Sequence, residues 1–138
     1  MEAIQGDTPP VALVLDPSAV LKYTQGKSEI DDMIATVRAG GGAVLVPAVS
    51  LAETRSELAY SEELGRLDEL LAAVTVAPLA GADAAGLGGL ASRLNGSIGL
   101  AHAVAEAQRH AARLLTSHGA AVRKSVGDLD GVLDLQSR

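Results

Sequence analysis

The chain has 138 residues, within the usual size of one domain, and 48% of them are hydrophobic, which suffices for one core. Only 1% are aromatic, and none is Phe or Trp, so an RNA-binding platform of stacked aromatic rings and an aromatic cage are excluded. The absence of cysteine excludes disulfides, thiolate zinc sites and cysteine nucleophiles, and a net charge of -6 argues against strong sequence-independent DNA binding.

The first half of the chain alternates short apolar runs with helical patterns. Residues 1–10 are predicted to be a lead-in that ends in two prolines. The next run, Val11–Leu15, is apolar throughout and stops at Asp16-Pro17, which is typical of a strand buried on both faces. The other predicted elements here are helices over 18–23, 29–39, 50–60 and 61–73 and a strand over 43–46 that Pro47 ends.

The second half continues the alternation and completes the fold prediction. Because strands alternate with helices, the pattern predicts a three-layer α/β domain, with a central and mostly parallel sheet of four to five short strands. We expect one domain over residues 11–138. The elements predicted in this half are strands over 74–77, 113–116 and 132–135 (the last at a sheet edge) and helices over 83–94, 99–110 and 120–125.

Polar residues follow the predicted strands at the points where the strands end. Asp16 follows the first strand, Glu53 lies in the helix after the second, and Thr116-Ser117-His118 closes the fourth. Ligands of open parallel sheets bind beyond the C-terminal ends of the strands. Two carboxylates brought together there repel each other, and a divalent cation such as Mg²⁺ or Mn²⁺ would turn that repulsion into binding.

Four segments in this order resemble the motifs of PIN domains. An apolar strand leads into Asp16, Pro17 and Ser18, a second strand leads into a helix with Glu53, and a later helix and the strand ending at Thr116 follow. The chain is similar to the small, acidic VapC-type toxins and their actinobacterial relatives, over about residues 11–135. The resembling segments are 13–21, 46–53, 100–107 and 114–117.

The resemblance implies a three-layer α/β/α fold and a ribonuclease that hydrolyses phosphodiesters with Mg²⁺ or Mn²⁺. It implies that Asp16 and Glu53 are catalytic metal ligands, that Ser18 supports Asp16 or a bound water, and that Thr116 forms a hydrogen bond near Asp16. It further implies RNA and an antitoxin-like protein as partners, and a homodimer formed through helical faces.

Two positions depart from the pattern that the resemblance implies. Where acids are expected at the start of the third-motif helix and two residues after Thr116, this chain has Gly99 and His118. The nearest acid downstream of Gly99 is Glu106, two helical turns away. The sequence therefore favours a PIN-like domain with weakened or lost catalysis. The alternatives are an active metal-dependent ribonuclease toxin and a non-catalytic protein-interaction module.

Several of these residues have a second interpretation. Ser50 and Glu53 have the spacing of a capping box at a helix start, which would occupy the Glu53 carboxylate. His118 is either a loop residue or a nitrogen ligand in a mixed site with Asp16 and Glu53, and His102 is expected to be a packed or surface histidine. Because no basic signal peptide or long apolar run occurs, a cytoplasmic protein that does not enter a membrane is predicted.

Overall fold

A computed structural model describes residues 8–26, 28–127 and 131–135 of the chain. Most of the predicted lead-in, residues 1–10, and the last three residues of the chain lie outside these ranges. In the described part, no helix is both long enough and apolar enough to cross a membrane.

A five-stranded parallel sheet forms the centre of the fold in the described residues. Its order is β3-β2-β1-β4-β5, so the first strand lies in the middle and the two shortest strands form the edges. The predicted fold class and the predicted edge position of the fifth strand are confirmed. The strands are β1 (Val11–Leu15), β2 (Ala43–Pro47), β3 (Thr75–Ala77), β4 (Arg113–Thr116) and β5 (Val132–Asp134).

Helices connect the strands, and their ends differ from the predicted ones by at most three residues. The described helices are α1 (Pro17–Thr24), α2 (Ser28–Ala39), α3 (Ala48–Glu57), α4 (Ser61–Ala73), α5 (Ala84–Arg93), α6 (Ile98–His110) and α7 (Gly119–Val126), with a 3-10 turn at Gly81–Asp83.

The start of α3 contradicts the capping-box interpretation. The helix begins directly after β2, with Pro47 as its N-cap and no side-chain hydrogen bond to the cap. Ser50 is therefore already inside the helix. Pro47 is both the last residue of β2 and the N-cap residue of α3. Glu53 is consequently free to act elsewhere.

The core has two halves, one on each face of the sheet, because side chains alternate between the faces along each strand. Val14 packs with α5, α6 and α7 on one face. Its neighbours Leu13 and Leu15 pack with α1, α2 and α4 on the other face. The described core is aliphatic throughout, in agreement with the near absence of aromatic residues.

The first two helices carry apolar positions that the sequence pattern assigns equally well to a core or to a homodimer interface, and they contribute to this core. Val20 and Ile34 are buried, and Leu21, Met33 and Val37 pack partly buried against the same cluster. Packing within one chain therefore accounts for these side chains, and the homodimer stays a prediction.

Candidate functional site

Asp16 is the centre of a hydrogen-bond network at the C-terminal end of β1. Its Oδ1 accepts hydrogen bonds from the Ser18 hydroxyl at 2.7 Å and from the Ala19 N–H at 2.9 Å. Its Oδ2 accepts one from the Thr116 hydroxyl at 2.6 Å. The residue is 0% exposed. The structure therefore brings together three of the residues singled out from the sequence: Asp16, Ser18 and Thr116.

Local sequence explains this arrangement. Asp16 is the N-cap of α1, where an aspartate oxygen accepts an otherwise unpaired N–H of the first turn, and Pro17 occupies the first helical position, which needs no donor. The hydroxyls also connect this cap to the loop after β4. Ser18 accepts the Ser117 N–H at 2.8 Å, and Thr116 accepts the His118 N–H at 2.9 Å. The network thus joins the ends of two neighbouring strands.

Burial dominates the electrostatics of Asp16. Loss of solvent raises the pKa of its carboxyl group above the ordinary value, and this effect exceeds the opposing effects of the hydrogen bonds from Thr116, Ser18 and Ala19. The nearby His118 also lowers the pKa, as the weakest contribution. The network is therefore a compact polar cluster in a dry environment rather than a solvated pair of acids.

Glu53 is engaged by the first turn of α6. Its Oε2 accepts a hydrogen bond from the Gly99 N–H at 3.2 Å. Helix N-terminal amides lack partners within the helix and carry partial positive charge, so a carboxylate beside them is stabilised. The Ser50 hydroxyl lies 3.5 Å from the Gly99 carbonyl oxygen, to which it donates. Glu53 therefore adds a capping hydrogen bond to α6 from another helix, beside the N-cap residue Ser97, whose Oγ accepts the Leu100 N–H.

Gly99 is enclosed where α6 meets α1 and α3. A Cβ atom added to it would lie 2.5 Å from Pro17 Cγ and closer still to Glu53 Oε1. Contacts below 3.0 Å force something to move, and the proline ring has little freedom to do so. The glycine at this position therefore permits close helix packing, and the acid expected from the resemblance does not fit beside Glu53 as it stands.

His118 and Asp134 complete this edge of the sheet. His118 is the N-cap residue of α7, with an exposed side chain. Asp134 is in register with Thr116, and its Oδ2 would lie 2.6 Å from a Cβ added to Gly119, the first residue of α7. Asp134 was not predicted to belong to the site, because it falls inside the predicted fifth strand. The sequence feature that could have indicated Asp134 as a site residue is its position near the end of the predicted edge strand.

The residues of this edge do not fit Mg²⁺ or Mn²⁺ in the observed arrangement. Protein donors occupy both oxygens of Asp16 and one oxygen of Glu53. Across the described ranges, no group of three or more histidines and acids is placed to hold a metal, so Asp16, Glu53 and His118 do not form the mixed site. Mg²⁺ and Mn²⁺ are usually held by several oxygen ligands together, and the described residues do not group three acids or histidines at this edge.

Comparison with known proteins supports the fold. No family model and no curated protein matches this chain. One similar solved structure is a chain in the crystal structure of VapBC2 from Rickettsia felis bound to a DNA fragment from their promoter. It is 14% identical to this chain and superposes with a TM-score of 0.66, and the match covers 90% of this chain and 98% of that one. PAE2754 from Pyrobaculum aerophilum is 15% identical with a TM-score of 0.61, over 92% of each chain. At these identities the similarity shows the fold alone, which is PIN-like.

Proposed function

We propose that this protein is a PIN-like domain of the toxin–antitoxin type whose ribonuclease activity is weakened or lost. The fold similarity to a VapBC2 chain supports the type, and the positions of Asp16, Glu53, Ser18 and Thr116 in the expected order support the relationship to metal-dependent nucleases. The chemistry of the individual residues argues for the loss of catalysis.

One observation carries this proposal, namely the packing around Gly99. The Glu53 carboxylate binds the Gly99 N–H, and there is no space for a side chain at position 99. A second carboxylate cannot be added without displacing the first. The two acids that the chain retains accept hydrogen bonds from first-turn amides, Asp16 in α1 and Glu53 in α6.

A protein partner suits this surface better than RNA does. The chain has a net charge of -6 and 1% aromatic residues, so it offers neither the positive field nor the stacking surfaces by which RNA is usually held. We therefore propose an antitoxin-like protein as the main partner, as the VapBC2 similarity suggests, and a cytoplasmic location.

A metal titration tests the proposal. We expect millimolar Mg²⁺ or Mn²⁺ to leave the melting temperature of the protein unchanged, and RNA incubated with the protein and Mn²⁺ to be cleaved no faster than with the Glu53→Gln variant. A cation bound at 100 times its Kd would add about 2.7 kcal/mol to the free energy of unfolding, which a thermal scan readily detects.

Glu57→Gln is the matched control for Glu53→Gln. Glu57 lies one turn further along α3, is exposed, and carries the same charge. If Mn²⁺ stabilises the wild type and the Glu57→Gln variant but not the Glu53→Gln variant, and RNA cleavage follows the same order, the protein is an active metal-dependent ribonuclease and our proposal is wrong.

A further inference from the structure

An open groove of about 580 Å³ lies between α3 and α4. Both helices pack against α1, and the residues that line the groove all come from α3 and α4. None of them belongs to the Asp16 network, and neither Glu53 nor Gly99 is among them. The groove is therefore a surface separate from the candidate site.

The lining of this groove is mostly apolar. Leu51 of α3 and Leu64 and Leu71 of α4 line it, and each of these leucines is half-buried against the core. On both helices the lining positions are three or four residues apart, which places them on one helix face. Two apolar stripes thus keep part of their surface in solvent, and apolar surface bordered by polar residues is typical of sites that bind another protein.

The groove carries one charge of each sign, and the two charges belong to different helices. Arg55 is on α3 and Asp68 is on α4, and both residues are exposed. Within the described residues, neither side chain takes part in a hydrogen bond or an ion pair. Each is therefore available to a group of opposite charge on a partner.

This distribution of charge is self-complementary. In a two-fold symmetric pair the same patch occurs on both subunits, so two residues that meet across the interface meet twice. A two-fold rotation that lays α3 of one copy on α4 of the other brings Arg55 toward Asp68 of the partner subunit at both places, with leucines between them. A partner of one dominant charge would be repelled by one side of the groove, so the charges favour a second copy of this chain.

An exposed aromatic residue adjoins the groove. Tyr60 is 70% exposed and directly precedes α4, and its carbonyl oxygen accepts the N–H of the groove residue Leu64 at 3.1 Å. Tyrosine is enriched among the residues that contribute most to protein interfaces. The other tyrosine of the chain, Tyr23, packs against the core. Tyr60 is therefore the aromatic side chain that an interface at this groove would bury.

We propose that two copies of this chain associate with two-fold symmetry through their α3–α4 grooves. Arg55 pairs with Asp68 of the partner subunit at two symmetric positions, and the leucines and Tyr60 form the apolar contact between these pairs. This surface differs from the apolar positions of α1 and α2, for which the core already accounts. The association does not depend on the proposed loss of ribonuclease activity, because the groove shares no residue with the Asp16 network.

Sedimentation equilibrium of the full chain tests the association. We expect wild type to dimerise at micromolar concentration. Arg55→Glu and Asp68→Arg should each weaken dimerisation about tenfold or more, because either change places like charges opposite each other at both symmetric positions. Both positions are exposed, so the variants should keep the wild-type fold, which circular dichroism verifies.

Glu69→Arg is the matched control for Asp68→Arg. Glu69 is the next residue of α4, is exposed, and does not line the groove. Its replacement makes the same change of charge on the same helix, and we expect this variant to dimerise like wild type.

Mixing the two groove variants tests the symmetry. When Arg55→Glu and Asp68→Arg are combined in equal amounts, opposite charges face each other at both positions of a mixed pair. We therefore expect heterodimers of about wild-type affinity, although each variant alone dimerises poorly. The variant that carries both substitutions should dimerise alone for the same reason.

Three results would overturn the proposal. A wild type that stays monomeric at millimolar concentration shows that the groove receives another partner or none. Single variants that dimerise as tightly as wild type show that the copies associate through another surface. A mixture that associates no more tightly than its components shows that Arg55 does not meet Asp68 of the partner subunit.

Discussion

Replacing Gly99 with alanine tests the central feature of the candidate site. The new Cβ would lie 2.5 Å from Pro17 Cγ and closer to Glu53 Oε1, where ordinary contacts begin at 3.4 Å. The Glu53 side chain can turn away, but it then releases the Gly99 N–H that it accepts at 3.2 Å. The proline ring cannot turn, so α6 must also shift away from α1.

Three contributions determine how much Gly99→Ala changes the free energy of unfolding. Overpacking costs about 1–3 kcal/mol, and loss of a hydrogen bond to a charged group costs about 1.5–3 kcal/mol. Alanine recovers at most about 1 kcal/mol through its higher helix propensity. Since the shift of Glu53 relieves part of the overlap, we expect the free energy of unfolding to fall by about 2–4 kcal/mol. In a chain of this size, that lowers the melting temperature by about 10 °C.

Thermal and urea unfolding of Gly99→Ala and Gly88→Ala measure this difference. Gly88 is the matched control, since it lies inside α5 and has nothing within 4 Å of an added Cβ. The control is expected to gain about 0.5–1 kcal/mol from helix propensity alone. If Gly99→Ala is as stable as Gly88→Ala, position 99 can hold a side chain, and steric exclusion does not explain the loss of the third acid.

Three further outcomes follow from buried polar residues. The folded state holds a proton on Asp16 more tightly than the unfolded chain does, so urea titrations should show stability falling as pH rises from 3.8 through the raised pKa, a slope that Asp16→Asn removes. Thr116→Val should cost about 1.5–3 kcal/mol in the same titrations because it removes a hydrogen bond to this carboxylate, and Thr75→Val on exposed strand β3 should change stability by less than about 0.5 kcal/mol. His102→Leu should raise the melting temperature, because it removes two buried ring nitrogens that have no hydrogen-bond partner of acceptable geometry within the described residues. The first expectation is contradicted if Asp16→Asn keeps the wild-type slope, and the second if Thr116→Val is as stable as Thr75→Val. A lower melting temperature of His102→Leu contradicts the third.

Local patterns were sufficient to predict the sheet and the convergence of Asp16 and Thr116 at one edge, and the hydrogen-bond roles of Ser18 and Thr116 came from the resemblance to PIN domains. Uniform apolar runs mark strands buried on both faces, and the residue after such a strand lies at the C-terminal edge whatever the rest of the chain does. Asp16, Ser18 and Thr116 could therefore be brought together from sequence alone. The hydrogen bonds between them are short and follow from where β1 and β4 end.

Contacts between helices that are distant in the sequence could not be predicted from local sequence patterns. The partner of Glu53 is Gly99, which is 46 residues away, and only the packing of α3 against α6 reveals it. The spacing of Ser50 and Glu53 indicated a local capping box, but α3 begins at Ala48, so Ser50 is not its N-cap.

The hydrogen bond between Thr116 and Asp16 spans 100 residues of the chain, and this has a consequence for biosynthesis. The middle strand of the described sheet, β1, is synthesised about 100 residues before its neighbour β4. Until then β1 can pair only with β2, and its other edge is an open template for another nascent chain. Among the described strands, β1 is thus paired on both edges only when β4 is in place, and we expect a fragment that ends before residue 113 to leave one edge of β1 open to pairing with another chain.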